Sequence, residues 1–407
     1  METPFQNKRI IVGVTGSIAC YKAADLASKL TQAGAQVDVI LTEGAMQFLT
    51  PLTFQSVTGR RAFTEADLWG NEAHVLHVGL GRQSDLLVIA PATANTLAKL
   101  AHGIADNLLS VTALAADCPL VIAPAMDGGM YNHPATQANL DLLTHRGAVL
   151  IGPALGHLAS GLQGIGRMVE VGEIMGHLRL VLAKHGPMKG RKVLVTAGGT
   201  EEPVDLVRSI TNRSSGKQGF SLAQAALDQG ADVTLIAGTT HLPTPTGAIR
   251  INVRTAQEML EAVLEQVSDA DVLLMAAAVA DFRPAAPASR KLKKEGGIPQ
   301  IHLETTPDIL AAVAKRKSET HCPRVSVGFA AESQDLLANA KAKLMTKNLD
   351  LIVANDITAE GAGFAVDTNQ VTLLDASGAA ETLPKMTKAE VAYIVIERVT
   401  RMLVGGK

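Results

Sequence analysis

The chain has 407 residues, too many for one hydrophobic core to be the default, so two domains are expected. A hydrophobic share of 47% against 19% charged residues excludes a disordered polymer, and aromatics at 3% require aliphatic cores of the Ala/Val/Leu kind found in α/β proteins. The formal net charge of -2 gives no electrostatic reason to expect nucleic acid or an anionic membrane as a partner.

No apolar run approaches the ~18 residues that span a bilayer; Val272–Ala280 is uncharged but far too short. The opening Met1–Arg9 is polar and lacks the apolar stretch of a signal peptide. Cys20, Cys118 and Cys322 are isolated, without CxxC or Cys/His metal spacing. These features lead to the expectation of a cytoplasmic protein with reduced thiols, no membrane contact and small-molecule ligands.

In chain order, Ile10–Val14 reads as a buried strand, Gly13–Ala19 as a tight turn, and Ala19–Ala33 as a helix with Ala23, Leu26, Ala27 and Leu30 on one face. Further strands are predicted at Val37–Leu41, Leu86–Ala90, Leu120–Ala123 and Val149–Ile151, with helical stretches between. Such a βαβ succession implies a parallel sheet covered on both faces. Lys184–Gly190, with Gly186-Pro187, reads as a linker. The alternation then restarts with strand Lys192–Thr196, a Gly turn, helix Lys217–Gln229 and strand Val233–Ala237. Strands follow at Val272–Ala276, Val325–Val327 and Leu351–Val353; Val371–Leu374 and Glu381–Leu383 flank a hairpin turn, and Lys388–Val404 closes as a helix. The predicted class is α/β, with domains over residues 1–185 and 189–407.

Ligands gather beyond the carboxyl ends of parallel strands. Gly16-Ser17-Ile18-Ala19 occupies such a turn, where backbone N–H groups and a helix start suit a phosphate; alone, a Gly turn before a helix is as often only a turn. Three more segments sit at comparable places: Pro91-Ala-Thr93-Ala-Asn95, Gly103 to Ser110, and Pro124-Ala-Met-Asp127-Gly-Gly. This set, from about Lys8 to Met168, resembles the flavin-dependent cysteine decarboxylases. The resemblance implies a flavodoxin-like fold, FMN as cofactor, and FMN contacts at Gly16, Ser17, Thr42, Thr93, Asn95 and Ser110. It also makes His77 the catalytic histidine; by residue type alone, His74 is an equal candidate.

Two positions depart from that family. Asp127 stands where it has Asn, and Ser160, in Ala159-Ser160-Gly161 before Gly164-Ile-Gly166-Arg167-Met168, stands where its substrate flap has Cys. An ionised Asp has no donor for a substrate carboxylate, and two unit charges at ~4 Å repel by about 4 kcal/mol at an effective dielectric of 20. A proton shared between the two carboxylates restores the geometry. Ser160 is a far weaker acid than a thiol, and losing a general acid costs about 10²–10⁴-fold. Two readings stay open at this point: a working decarboxylase with catalytic Asp127 and Ser160, and a silent scaffold that still binds FMN.

The second half opens with Val195-Thr-Ala-Gly198-Gly199-Thr200, followed by Ile210-Thr-Asn212-Arg-Ser-Ser-Gly216-Lys217. Walker A spacing is absent, and on these residues alone an NAD(P)-binding domain is a fair rival. From about Lys189 to Arg401, however, the set resembles phosphopantothenate–cysteine ligase, a Rossmann-like fold. That resemblance makes Asn212 the residue that handles an acyl-cytidylate and Lys291 the mobile-loop lysine. It implies nucleotide contacts at Ala276, Asp281, Pro307, Asp308, Ile309, Leu310, Phe329, Lys343 and Lys347. Asp281 would hold Mg²⁺, with CTP as co-substrate and 4′-phosphopantothenate and cysteine as substrates. Leu206 for proline and Gln218 for methionine are the small departures. Lysines and a metal suit this chemistry because triphosphate, acyl phosphate and incoming carboxylate are all anionic. Together the halves resemble the bifunctional coenzyme A biosynthesis proteins. That family implies homo-oligomers, flavin-domain trimers and ligase-domain dimers combined into a dodecamer. CTP over ATP comes from the resemblance alone.

Overall fold

The structure is a computed structural model that describes residues 3–69, 75–159, 161–293, 299–332, 335–356 and 366–404. Its contacts divide the chain into two compact units, Glu2–Leu182 and Ala183–Lys407.

The first unit holds strands β1 (Arg9–Val14), β2 (Gln36–Leu41), β3 (Ala62–Phe63), β4 (Leu86–Ala92), β5 (Leu120–Pro124) and β6 (Val149–Leu150) in the order β3-β2-β1-β4-β5-β6, all parallel. Without the two-residue edge strand β3, the remaining strands run 2-1-3-4-5, the order of flavodoxin. Both faces of the sheet are covered. Ile10, Val12 and Val14 pack with Leu26, Ala27 and Leu30, whereas Ile11 points the other way, among Leu87, Ile89, Leu109 and Leu140. Each such fully buried aliphatic side chain contributes about 1.5–3 kcal/mol, which explains why β1 and β4 read as continuous apolar runs. A hairpin of β7 (Ala154–His157) and β8 (Gln163–Arg167) stands apart from the sheet.

The second unit is built on β9 (Lys192–Ala197), β10 (Glu201–Pro203), β11 (Ser209–Thr211), β12 (Asp232–Ala237), β13 (Ile249–Asn252), β14 (Val272–Met275), β15 (Phe282–Pro284), β16 (Leu303–Thr305), β17 (Val325–Glu332), β18 (Leu351–Asp356), β19 (Thr368–Asn369), β20 (Val371–Asp375), β21 (Ala380–Thr382) and β22 (Met386–Thr387). Its main sheet runs β13-β12-β9-β14-β17-β18-β20-β21, parallel up to β18 and antiparallel thereafter. The parallel part has the 3-2-1-4-5-6 order of a dinucleotide-binding fold, with its switch point between β9 and β14. Two-stranded pairs β10–β11 and β15–β16 hang from the carboxyl edge.

One expectation is corrected. Lys184–Gly190 is not a free linker but is packed onto the second unit. Met188 is fully buried, its N–H donates to Gln229 O at 2.9 Å, and a Cβ on Gly186 would meet that carbonyl at 2.3 Å. Gly-Pro composition signals a turn here, and the turn is docked. Among the described residues no helix is long and apolar enough to cross a membrane.

Candidate active sites

In the first unit, the loops after β1, β2 and β4 converge. Thr15 is buried; its hydroxyl donates to Pro91 O at 2.8 Å and accepts the Thr93 N–H at 3.0 Å. Thr42 Oγ1 donates to Val14 O at 3.3 Å and caps the short helix Glu43–Met46. A Cβ on Gly16 would lie 2.9 Å from the Gly44 backbone, so the two loops touch main chain to main chain. Gly16, Ser17, Thr42 and Thr93 therefore share one edge of the sheet, and Asn95 is exposed on the first turn of helix Ala94–His102.

Ser110 is placed differently from a simple ligand hydroxyl. It is buried in helix Leu108–Ala115, accepting the Asn107 N–H at 3.2 Å within a capping box. Its neighbour Leu109 fills the space beside Gly13 on β1, which keeps this helix start over the sheet end. His77 is half-buried in the first turn of helix Leu76–Gln83, which packs on helix Leu108–Ala115. His74 and Ser160 lie outside the described residues.

A cleft of about 260 Å³ adjoins the phosphate turn, lined by Ser17, Lys22, Asp127, His157, Arg167 and neighbours; His77 is not in its lining. Asp127 caps helix Gly128–Tyr131, accepting the Gly129 N–H at 2.9 Å. The β7–β8 hairpin is pinned beside it: Met126 N donates to Gly166 O at 3.0 Å, and Gly166 has φ +139, with a Cβ there only 2.2 Å from Met126 O. Only glycine accepts both conditions. Gly166→Ala is therefore expected to destabilise this unit by about 1–3 kcal/mol and to lower turnover at the Asp127 cleft. Ligase turnover should be spared. Unaltered decarboxylation by the variant would show that the hairpin is not held here. Cys20, just past the phosphate turn, is engaged elsewhere: burial pushes its thiol up, and it donates to Thr15 O at 3.2 Å.

Do these residues fit FMN? Helices Cys20–Gln32 and Ala94–His102 begin at this edge with no acidic residue in their first turns, leaving their positive ends uncompensated for a phosphate. The Gly16–Gly44 contact keeps side chains out of the turn. The fit is good.

In the second unit the site is a pocket of about 1220 Å³ at the switch point. Ala276, Asp281, Pro307, Asp308, Ile309, Leu310, Phe329, Lys343, Lys347 and Asn212 all line it. Asn212 Nδ2 donates to Val279 O at 2.8 Å, so the Asn212 loop is tied to the end of β14. Thr200 Oγ1 accepts the Ala280 N–H at 2.9 Å, and Thr306 Oγ1 donates to Ala280 O at 2.6 Å, fixing the backbone before Asp281. Asp308 caps helix Ile309–Thr320 through the Ala311 N–H at 2.9 Å and pairs with Lys347. Burial opposes the Asp308 charge, yet the Lys347 and Ala311 bonds hold its carboxyl below the usual carboxylate range. That pairing therefore contributes at neutral pH and is lost on acidification through the lowered value. Lys343 Nζ donates to Phe329 O at 3.1 Å.

Lys291 is the exception: exposed, and absent from the pocket lining. Its neighbour Leu292 is anchored to Asp205 Oδ2 at 3.1 Å and to Arg208 at 3.2 Å. Lys217, Asn355, Asn369 and Lys388 also line the pocket, although the sequence assigned no role to any of them. Lys217 was visible in its Gly-Lys motif, whereas Lys388 had no signal beyond a helix start.

No group of three or more His, Cys, Asp or Glu side chains could hold a metal among the described residues. Asp281, just before β15, is an exposed carboxylate of the pocket lining, and unlike Asp308 it makes no ion pair with a lysine among the described residues; this suits Mg²⁺, an ion that takes one or two carboxylates with phosphate and water.

A flavodoxin-like unit with a Gly turn at its sheet edge, followed by a Rossmann-like unit with a lysine-lined pocket, defines a two-module flavoprotein class. Family models agree: residues 1–181 match Flavoprotein, and 188–403 match the DNA/pantothenate metabolism flavoprotein C-terminal domain. The coenzyme A biosynthesis bifunctional protein CoaBC of Bacillus subtilis is 43% identical over 399 residues, covering 97% of each chain. The protein of that name from Mycobacterium tuberculosis is 45% identical over 410 residues, covering 98% of this chain and 97% of its own. A solved C-terminal domain of such a protein is 36% identical with a TM-score of 0.46, covering 54% of this chain and 99% of its own. The chain belongs to the coenzyme A biosynthesis bifunctional protein family.

Proposed function

We propose that the chain performs two consecutive steps of coenzyme A biosynthesis: CTP-dependent ligation of 4′-phosphopantothenate to cysteine, then FMN-dependent decarboxylation of the product to 4′-phosphopantetheine. The two domains would be residues 1–185 and 189–407. The observation that carries the reading is the convergence of Asn212, Asp281, Asp308, Lys343 and Lys347 on one pocket. At about 1220 Å³ it exceeds the ~300–1,000 Å³ usual for one ligand, which leaves room for nucleotide and acyl substrate together.

In the ligase step, the substrate carboxylate attacks the α-phosphate of CTP and pyrophosphate leaves; the cysteine amine then displaces CMP from the acyl carbon. Lys343 and Lys347 lie on the β17 side, where they offset triphosphate charge, and Asp308 orients Lys347. Asn212 offers its second amide hydrogen to an acyl oxygen without adding charge. Asp281 would hold Mg²⁺, which supplies charge neutralisation on the phosphates. Lys291 belongs to the exposed loop and contributes only if that loop closes.

In the decarboxylase step, Gly16, Ser17, Thr42, Thr93 and Asn95 would hold FMN, with Ser110 supporting through its helix start. FMN supplies the oxidation of the substrate thiol and the matching reduction after carbon dioxide is lost. Asp127 meets the substrate carboxylate, His77 serves as the catalytic histidine, and Ser160 stands in the flap as a weak acid. A ligase with a silent flavin scaffold is the weaker reading, because the match to bifunctional relatives runs over both units. We further propose a cytoplasmic enzyme, with flavin-unit trimers and ligase-unit dimers building a dodecamer, a size that mass photometry reads directly.

The test uses purified, FMN-loaded protein with Mg²⁺, cysteine, 4′-phosphopantothenate and either CTP or ATP. Pyrophosphate release with CTP and, by mass spectrometry, 4′-phosphopantetheine are expected. Absence of CTP-dependent pyrophosphate would overturn the ligase assignment, while unchanged 4′-phosphopantothenoylcysteine beside a working ligase would restore the scaffold reading.

A further inference from the structure

His157 belongs to none of the motifs above, yet it lines the Asp127 cleft from strand β7. The ladder places it opposite Gln163 on β8, and the Gln163 side-chain amide meets its Nε2 at 3.1 Å. A primary amide gives or accepts a hydrogen bond according to the end it presents, so Gln163 holds the ring in either charge state, through one of its two nitrogens. The hairpin is fixed against the Asp127 loop at two points: Met126 N donates to Gly166 O at 3.0 Å, and a Cβ on Gly128 would lie 2.9 Å from Ile165 O. The imidazole is exposed, within reach of water.

The other ionisable side chains in this lining are Tyr21, Lys22, Asp127 and Arg167. Lys22 Nζ donates to Met168 O and to Glu170, both at 2.9 Å, and Arg167 pairs with the same Glu170 oxygen at 2.6 Å. Phenol, ammonium and guanidinium groups ordinarily keep their protons at neutral pH, and a carboxyl group has already lost its own. Imidazole is the side chain suited to give and regain a proton there. The two cysteines of the first unit are placed for other things: Cys20 donates to Thr15 O, and Cys118 precedes β5, whereas the Asp127 loop follows it.

Once carbon dioxide has left, the enethiol double bond takes up a hydride and a proton. The hydride comes back from the reduced flavin, with the two electrons earlier taken from the substrate thiol; the proton needs an acid, and Ser160 is too weak a one. We infer that His157 is that acid. Its imidazolium N–H gives a proton to one carbon of the enethiol while the other carbon receives the hydride, the double bond becomes single, and the neutral imidazole takes a proton back from water. This rests on the decarboxylase reading above.

The test supplies 4′-phosphopantothenoylcysteine, without air, to the full-length, FMN-loaded protein and follows flavin absorbance beside products by mass spectrometry. His157→Gln should release carbon dioxide at the parent rate but slow the reduction by about 10²-fold or more, the loss of a general acid. A bleached flavin should then persist beside the enethiol, which is two hydrogens lighter than 4′-phosphopantetheine. Free imidazole added to His157→Ala should recover part of the reduction, a rescue that a merely structural role would not show. Flavin content and ligase turnover equal to the parent's establish that the variants fold. Reduction at the parent rate in both variants would remove His157 from the chemistry, and an equal slowing of carbon dioxide release would make it structural; either overturns the inference. A parent protein that leaves the substrate unchanged would fail the decarboxylase reading itself, a result distinct from these.

Discussion

Asn212→Ala is expected to reduce ligase turnover by about 10²–10³-fold, the usual consequence of removing a donor aimed at a developing oxyanion. The residue is positioned for such a role by its own amide. Nδ2 gives one hydrogen to Val279 O at 2.8 Å, which fixes the amide plane against the end of β14 and leaves the second hydrogen for a ligand. Asn212→Asp should be at least as damaging. It removes both hydrogens and sets a negative charge against the Val279 carbonyl and the incoming carboxylate. Neither change touches the first unit, so flavin content and decarboxylation of supplied 4′-phosphopantothenoylcysteine should be unaltered. Pyrophosphate release under saturating CTP is the measurement, and a variant with wild-type turnover would remove Asn212 from the chemistry.

The second large effect is a gain. Asp127→Asn should raise decarboxylation at neutral pH by tenfold or more. The repulsion of two carboxylates at ~4 Å, about 4 kcal/mol at an effective dielectric of 20, sets an upper bound near a thousandfold. The local fold tolerates the change, because Asp127 caps its helix by accepting from Gly129 N, and an Asn side-chain oxygen accepts equally well. Product formation from 4′-phosphopantothenoylcysteine, followed by mass spectrometry, reads the effect. A variant slower than the parent would mean that the carboxyl group itself, carrying a proton, is the working form in this enzyme.

The two expectations differ in how legible their residues were. Asn212 sits in a motif whose meaning depends on neighbours far away in sequence: Val279 completes its geometry, 67 positions on. Asp127 announced itself as a substitution in a recognisable segment, but its helix-capping role is visible only with the backbone in place. Strand positions were legible because parallel strands buried on both faces must be continuous apolar runs; β1, β4, β9 and the closing helix Lys388–Val404 fall where those runs and the helical spacing put them. The short pairs β7–β8, β10–β11 and β15–β16 were not, since three- to five-residue strands carry no apolar period.

By itself the sequence determined the α/β class, the restart of the fold after Lys184–Gly190, and the families the two halves resemble, because burial patterns and motif residues are local properties. Only the tertiary structure decided which strand ends adjoin, and so brought Asn212 to Val279 and Lys388 beside Lys217 in one pocket. It also left Lys291 outside that pocket's lining. The physical reason is that strand order and helix packing set distances between residues remote in the chain. A charge such as Lys388 reads as an ordinary helix start until the fold buries it.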